Sequence, residues 1–252
     1  MTVRALRLLR AADVVVHDRL SPAEALAAAR PDAVLVDVGK VPGHHAVPQD
    51  RINALLVEHA LAGRFVVRLK GGDPYLFGRG GEEVEACRAA GVPVEVVPGV
   101  SSAFAVPAAA GVPVTHRGLS RSVTVLTGHD ELEDARLAAL ATLGGTLVVL
   151  MGVARAAALA RGLLAAGMPA DLPVAVVERG WTGSQRTTRA DLAGMAEALR
   201  SRQVASPAVI VIGAVAALAD DPTALVERLV APGPAAEPLA EPVAEPAARC
   251  LG

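Results

Sequence analysis

The sequence predicts an α/β protein built from two successive units, and three observations carry that expectation. Short, branched apolar runs alternate along the chain with helical stretches, as in a parallel sheet covered on both faces. Several helical stretches close on a glycine, among them Gly63 and Gly111. One apolar run, residues 65–69, opens into Lys70-Gly71-Gly72-Asp73-Pro74-Tyr75-Leu76-Phe77-Gly78-Arg79-Gly80-Gly81-Glu82-Glu83. A strand that ends in a glycine loop and feeds a helix is where open α/β sheets receive ligands.

The elements follow in order. Residues 2–12 read as a helix with Leu6, Leu8 and Leu9 on or near one face, and 14–16 as a strand followed by Asp18-Arg19-Leu20. Residues 22–29 form a helix, and 34–38 a strand that ends at Gly39-Lys40. The helix at 48–61 turns Ile52, Leu55, Leu56 and Ala60 inward. In the central loop, Gly71 and Gly72 let the backbone bend and bring bare amides near a ligand, and Pro74 stops the strand. Glu82-Glu83 then opens a helix that ends near Gly91; acidic residues suit a helix's first turn. A strand at 93–97 and a small-residue helix at 101–110 complete the first unit.

The loop after Pro113, with Thr115-His116-Arg117-Gly118, is the expected joint, dividing residues 1–117 from 118–230. In the second unit strands are expected at 122–126, 146–150, 174–177 and 208–212. Helices are expected at 133–142, 154–166, 189–202 and 223–229. Residues 231–252 are mostly Pro, Ala and Glu, too poor in large apolar side chains to offset ordering entropy, and read as a disordered tail.

Composition narrows the function. Apolar residues make up 52% and aromatics 2%, so Ala, Val and Leu must build the core. A net charge of −2 and so few aromatics argue against a nucleic-acid partner. Cys87 and Cys250 give neither a disulfide framework nor metal-ligand spacing, and no metal is expected. With no long apolar span and no signal peptide, the expectation is a cytoplasmic protein without a membrane partner.

The run Arg68–Glu83 resembles the signature of the uroporphyrinogen-III C-methyltransferases, S-adenosylmethionine enzymes of the tetrapyrrole methylase superfamily. The resemblance extends from about Arg4 to about Val230. It implies the tetrapyrrole methylase fold, two α/β domains with a cofactor cleft between them. It implies S-adenosyl-L-methionine as cofactor, a tetrapyrrole as small-molecule substrate, and a homodimer. The implied reaction is C-methylation of uroporphyrinogen III at C2 and C7, giving precorrin-2 for sirohaem and cobalamin routes.

By the same resemblance the cofactor site takes Gly71, Gly72, Asp73 and Leu76 from the central loop. It adds Ser101, Ser102, Met151, Gly180, Pro207 and Ala208. Met151 also reads as a core filler, and Ser101-Ser102 as a helix cap. Asp18 is implied as proton acceptor and Lys40 as donor, with Glu82 a second candidate for ring deprotonation; Asp18 also reads as a turn aspartate. A substrate with eight carboxylates calls for cations near the cleft: Arg19, Lys40, His44, His45, Arg79, Arg117 and Arg121. Arg79, set between glycines, and Arg117, at the joint, stand out.

Members of the family begin with an apolar strand and a Gly-x-Gly-Pro-Gly-Asp-Pro loop, and Met1-Thr2 falls just after that loop would end. Two expectations follow. One is an enzyme whose start lies further upstream. The other is a truncated, non-catalytic form that binds tetrapyrrole or only dimerises. A methyltransferase of a later corrin intermediate is a further alternative.

Overall fold

A computed structural model describes residues 1–21, 23–39 and 47–219. Lys40, His44, His45, the helix expected at 223–229 and the tail lie outside the described residues.

The first sheet has three parallel strands, β1 (Val14–His17), β2 (Val34–Asp37) and β3 (Val66–Leu69), in the order β2-β1-β3. Because β1 is central and apolar on both faces, it needs cover on both. Val14 and Val16 pack with Ile52 and Leu56 of α3 (Gln49–Leu61) and Cys87 of α4 (Gly80–Ala89). Val15 faces the other way, onto Leu9 of α1 (Val3–Ala11) and Leu26 of α2 (Ala23–Leu26). His17, Asp37 and Leu69 are in register, so all three strands release their loops at one edge.

The second sheet is mixed. Its strands are β4 (Val123–Thr127), β5 (Thr146–Leu150), β6 (Pro173–Glu178), β7 (Arg186–Asp191) and β8 (Ala208–Ile212), in the order β4-β5-β8-β6-β7. Only β4 and β5 pair in parallel; β8 runs antiparallel to both β5 and β6. Leu147 and Val149 of β5, Val174 and Val176 of β6 and Ile210 and Ile212 of β8 share one face. That face is covered by α6 (Asp134–Leu143), α7 (Ala156–Ala165) and α8 (Met195–Ser201). Val148, Ala175, Val177, Val209 and Val211 share the other, under α5 (Ser102–Ala109) and the turn carrying Val215 and Ala216. Each fully buried Val or Leu stabilises by roughly 1.5–3 kcal/mol. No aromatic contributes: Phe65, Tyr75, Phe77, Phe104 and Trp181, which are all of them, are exposed.

Two elements differ from expectation. Residues 93–97 form no ladder, and Pro93 offers no backbone N–H for one; the Glu95 side chain pairs with Arg4. Residues 186–191 are strand β7 rather than the start of a helix at 189. Thr187 and Thr188 are β-branched, and of the six only Thr188 is buried, as an edge strand with one open face allows.

Candidate active site

The edge of the first sheet is tied together by its loops. Gly71 lies against Leu20, so that a β-carbon there would stand 2.9 Å from Leu20 Cβ, and Gly39 lies as tightly against the backbone of Arg19. Ser21 Oγ donates to the Leu69 carbonyl at 3.2 Å. Gly71 is thus required by packing against its neighbour. Gly72 is required by its φ of +82°, and a β-carbon added there would face the backbone of Val100, Ser101 and Ser102 at 3.5–3.9 Å.

Asp73 holds this turn. Its Oδ1 accepts from Tyr75 N at 2.9 Å and its Oδ2 from Gly99 N at 3.1 Å. Gly99 is a residue that sequence reasoning missed. A β-carbon there would fall 2.1 Å from the Gly72 carbonyl, and the Pro98-Gly99 pair is the turn signal that could have found it. Ser101 caps α5, accepting from Ala103 N at 3.1 Å.

Helix α5 joins this loop to the second sheet. Its N-terminus meets Gly72, and five residues on Val106 meets Gly180, where an added β-carbon would stand 2.9 Å from Val106 Cγ1. At 1.5 Å per residue those two contacts are about 7.5 Å apart along the helix. Leu76 and Val106 both pack against the same face of the second sheet. Trp181 Nε1 donates to the Ala105 carbonyl and Gln185 Nε2 to that of Ala109, seating the loop after β6 on α5.

The ends of β5 and β6 flank the start of β8. Leu150 and Val177 both pair with Val209, and Arg179 N donates to the Pro207 carbonyl at 2.9 Å. Met151, Gly180, Pro207 and Ala208 therefore share one rim. Met151 is 49% exposed between buried Leu150 and Gly152, turned off the core by a φ of +57°. Phe77, Arg79, Arg179 and Trp181 also have positive φ on these loops. Each such residue costs about 1–3 kcal/mol, and strain of this kind gathers at functional sites.

The charged residues divide into two sets. Arg79 and Glu82 are exposed and paired side-on through one edge of the guanidinium, Nε to Oε1 at 2.8 Å and Nη2 to Oε2 at 2.6 Å. This hydrogen bond holds the Glu82 carboxyl below its usual range and the Arg79 guanidinium above its own. The second set was not legible beforehand: Arg68, Lys70 and Glu83, with side chains 13%, 9% and 6% exposed. Glu83 Oε1 accepts from Arg68 Nε and Lys70 Nζ, both at 3.1 Å, and from Gln49 Nε2 at 3.3 Å. Arg68 Nη2 reaches Asp18 Oδ2 at 3.3 Å. Burial, then the neighbouring Arg68 charge, push the Lys70 ammonium below its ordinary value.

Arg19 and Arg117 make no ion pair among the described residues. Arg117 lines an open hollow of about 440 Å³ with Thr115, His116, Ser120 and Arg121. A second hollow, of about 390 Å³, lies between α6 and α7 around Leu126, Leu137, Arg155 and Leu159, and shares none of the predicted site residues. Among the described residues no group of three His, Cys, Asp or Glu is placed to hold a metal ion, and no helix is long and apolar enough to cross a membrane.

This fold and this junction go with a family assignment: residues 1–196 match the family model of the Tetrapyrrole (Corrin/Porphyrin) Methylases, and the chain belongs to that family. Particular relatives sharpen the comparison. The chain is 46% identical over 235 residues to the uroporphyrinogen-III C-methyltransferase of Paracoccus denitrificans, covering 92% of this chain and 82% of that one. It is 47% identical over 225 residues to the S-adenosyl-L-methionine-dependent uroporphyrinogen III methyltransferase of Methanosarcina barkeri, covering 87% and 88%. It spans only 47% of the siroheme synthase of Tolumonas auensis, at 46% identity. Among solved structures, the Thermus thermophilus uroporphyrin-III C-methyl transferase complexed with S-adenyl homocysteine matches with a TM-score of 0.74 and 43% identity, covering 86% of this chain and 93% of that one. A cobalt precorrin-4 methyltransferase matches with a TM-score of 0.76 and 26% identity, covering 86% and 90%.

Proposed function

We propose that this chain transfers methyl groups from S-adenosyl-L-methionine to C2 and C7 of uroporphyrinogen III, giving precorrin-2. The observation that carries this reading is 46–47% identity, over most of the chain, to two enzymes named for that substrate. Fold alone does not choose the acceptor, since the TM-scores of 0.74 and 0.76 are equivalent; the identities of 43% and 26% do. We also read the chain as a cytoplasmic homodimer whose product serves sirohaem and cobalamin routes. The homodimer and the routes follow from the family resemblance, and the likeness to a siroheme synthase supports the first route.

The residues present suit the donor. Small residues gather there, with Gly72 against Ser101 and Ser102, Gly180 against Val106 and Ala208 opening β8, and the half-exposed Met151 offers an apolar wall. When bound, S-adenosyl-L-methionine supplies an electrophilic methyl on a positively charged sulfur. The new bond joins that methyl to a pyrrole carbon, the methyl–sulfur bond breaks with its electrons left on sulfur, and the ring, now positive, gives up one proton. The chain's part is to align the reactants, worth on the order of 7–11 kcal/mol, and to receive the proton. Asp18 receives it in this reading. Its side chain is 28% exposed at the edge of the first sheet, and its oxygens are held by Leu20 N at 3.0 Å and by Arg68. Glu82, on the exposed Arg79 fork, is the second candidate.

The test is incubation of the purified chain with uroporphyrinogen III and S-adenosyl-L-methionine under anaerobic conditions, followed by mass spectrometry. A product two methyl groups heavier is expected. Methylation of a later corrin intermediate alone, or of neither, overturns the reading.

A further inference from the structure

We propose that Arg68 is a positioning residue for the Asp18 carboxylate, and that Glu83 locks Arg68 in that pose. This inference rests on the reading of Asp18 as proton acceptor given above.

The geometry accounts for every nitrogen of Arg68. Nε donates to Glu83 Oε1 at 3.1 Å, and Nη1 to the carbonyls of Leu69 at 2.8 Å and Val16 at 3.4 Å. Nη2 is left for Asp18 Oδ2, at 3.3 Å. Three of these four partners are fixed: two are backbone carbonyls at the ends of β1 and β3, and the third is a buried carboxylate on the first turn of α4. The guanidinium is therefore held by the scaffold, and its last donor sets where the carboxylate stands.

Asp18 is held from two sides, Oδ1 by the Asp18–Ser21 turn, through Leu20 N, and Oδ2 by Arg68. Oδ1 also accepts from Ser21 Oγ at 3.4 Å, which fills its two acceptor sites, whereas Oδ2 has Arg68 alone and keeps one for a proton. Glu83 in turn is shared by Arg68, Lys70 and Gln49. The four charges, Arg68 and Lys70 against Glu83 and Asp18, cancel while Asp18 is ionised. Lysine cannot substitute for Arg68, because a single ammonium cannot reach four partners in a planar fork.

The experiment is a double-mutant cycle on the full chain with Arg68→Lys, Asp18→Asn and both together. It reads kcat and KM for uroporphyrinogen III, and Kd for S-adenosylhomocysteine as the check on folding. Asp18→Asn is expected to lower kcat by about a hundredfold or more. Arg68→Lys should lower kcat about tenfold, with KM and Kd within about twofold of the parent. The double variant should be no slower than Asp18→Asn by more than about twofold, because Arg68 acts through a group already removed. Multiplicative losses overturn the proposal, as does an Arg68→Lys variant with the parent's kcat. An Asp18→Asn variant that keeps the parent's kcat overturns the proton-acceptor reading itself, and this proposal with it. An Arg68→Lys variant that no longer binds S-adenosylhomocysteine shows a merely structural residue and overturns it too.

Discussion

Asp73 ties the central loop to Gly99, accepting from its backbone N–H at 3.1 Å across 26 residues of sequence. The other oxygen closes the turn at Tyr75. Gly72 and Gly99 approach so closely that no side chain fits between them, so this bond fixes the entry to α5. Asp73→Ala removes two charge-assisted hydrogen bonds and is expected to cost about 1–3 kcal/mol in urea unfolding. In the proposed function it should also weaken S-adenosylhomocysteine, because Ser101 and Ser102 lose their support. Unchanged affinity by calorimetry would show that Asp73 serves the turn alone.

Gly180 faces Val106 across the other half of the junction. Gly180→Ala forces a contact of 2.9 Å to Val106 Cγ1. Relief by moving the loop costs about 1–3 kcal/mol. S-adenosylhomocysteine should bind roughly tenfold more weakly, a loss of about 1.4 kcal/mol. Val106→Ala in the same chain removes the clash and should recover most of that affinity. If the second substitution recovers nothing, Gly180 acts in some way other than by seating against α5.

These two contacts show what the sequence could and could not display. Continuous apolar runs such as residues 146–150 and 208–212 announce buried strands by themselves, and both are strands with those bounds. Residues 93–97 carry a similar pattern, but a strand also needs a partner, and local sequence holds no record of one. Residues 189–191 of β7 fit a helix pattern because an edge strand buries little, leaving Arg189 to resemble a helix surface. In the site, the glycine loop stood out by composition, and the family resemblance supplied the partners on distant strands. The charge cluster did not stand out. Glu82 and Glu83 are adjacent, yet about 100° of helix turn sends the first to solvent and buries the second beneath Arg68 and Lys70. Which of two glutamates turns inward depends on what packs against the helix.

Arg79 meets Glu82 through a fork that a substrate carboxylate must compete for. Arg79→Lys keeps the charge and loses the fork, so KM for uroporphyrinogen III is expected to rise about tenfold with S-adenosylhomocysteine binding retained. Glu82→Gln frees the fork and should lower KM while kcat stays within about threefold. The sign with pH follows from the hydrogen bond that holds Glu82 below its usual range. The pair is intact above the ordinary glutamate value and loosens as pH falls through the lower folded value. A large kcat loss in Glu82→Gln would make Glu82, rather than Asp18, the proton acceptor.

Lys70 is one of only two lysines in a chain with 24 Lys and Arg in all, the other being Lys40. Arginine stays charged under all ordinary conditions, whereas a buried lysine shifts readily. Burial lowers the Lys70 value in the folded chain, so between that value and the ordinary one the unfolded chain binds more protons. Stability should therefore rise with pH across that alkaline window, relative to a Lys70→Arg variant. Lysine-selective NMR has two signals to follow, and the one absent from Lys70→Arg should titrate below the ordinary lysine range. A Lys70 signal at the ordinary value would mean that Glu83 fully offsets the burial. Glu83→Gln tests that balance directly. It leaves Arg68 and Lys70 facing Asp18 alone, with no buried carboxylate between them, and is expected to cost about 3–5 kcal/mol. A loss well under that range would show that water or a shift of Asp18 compensates the two cations.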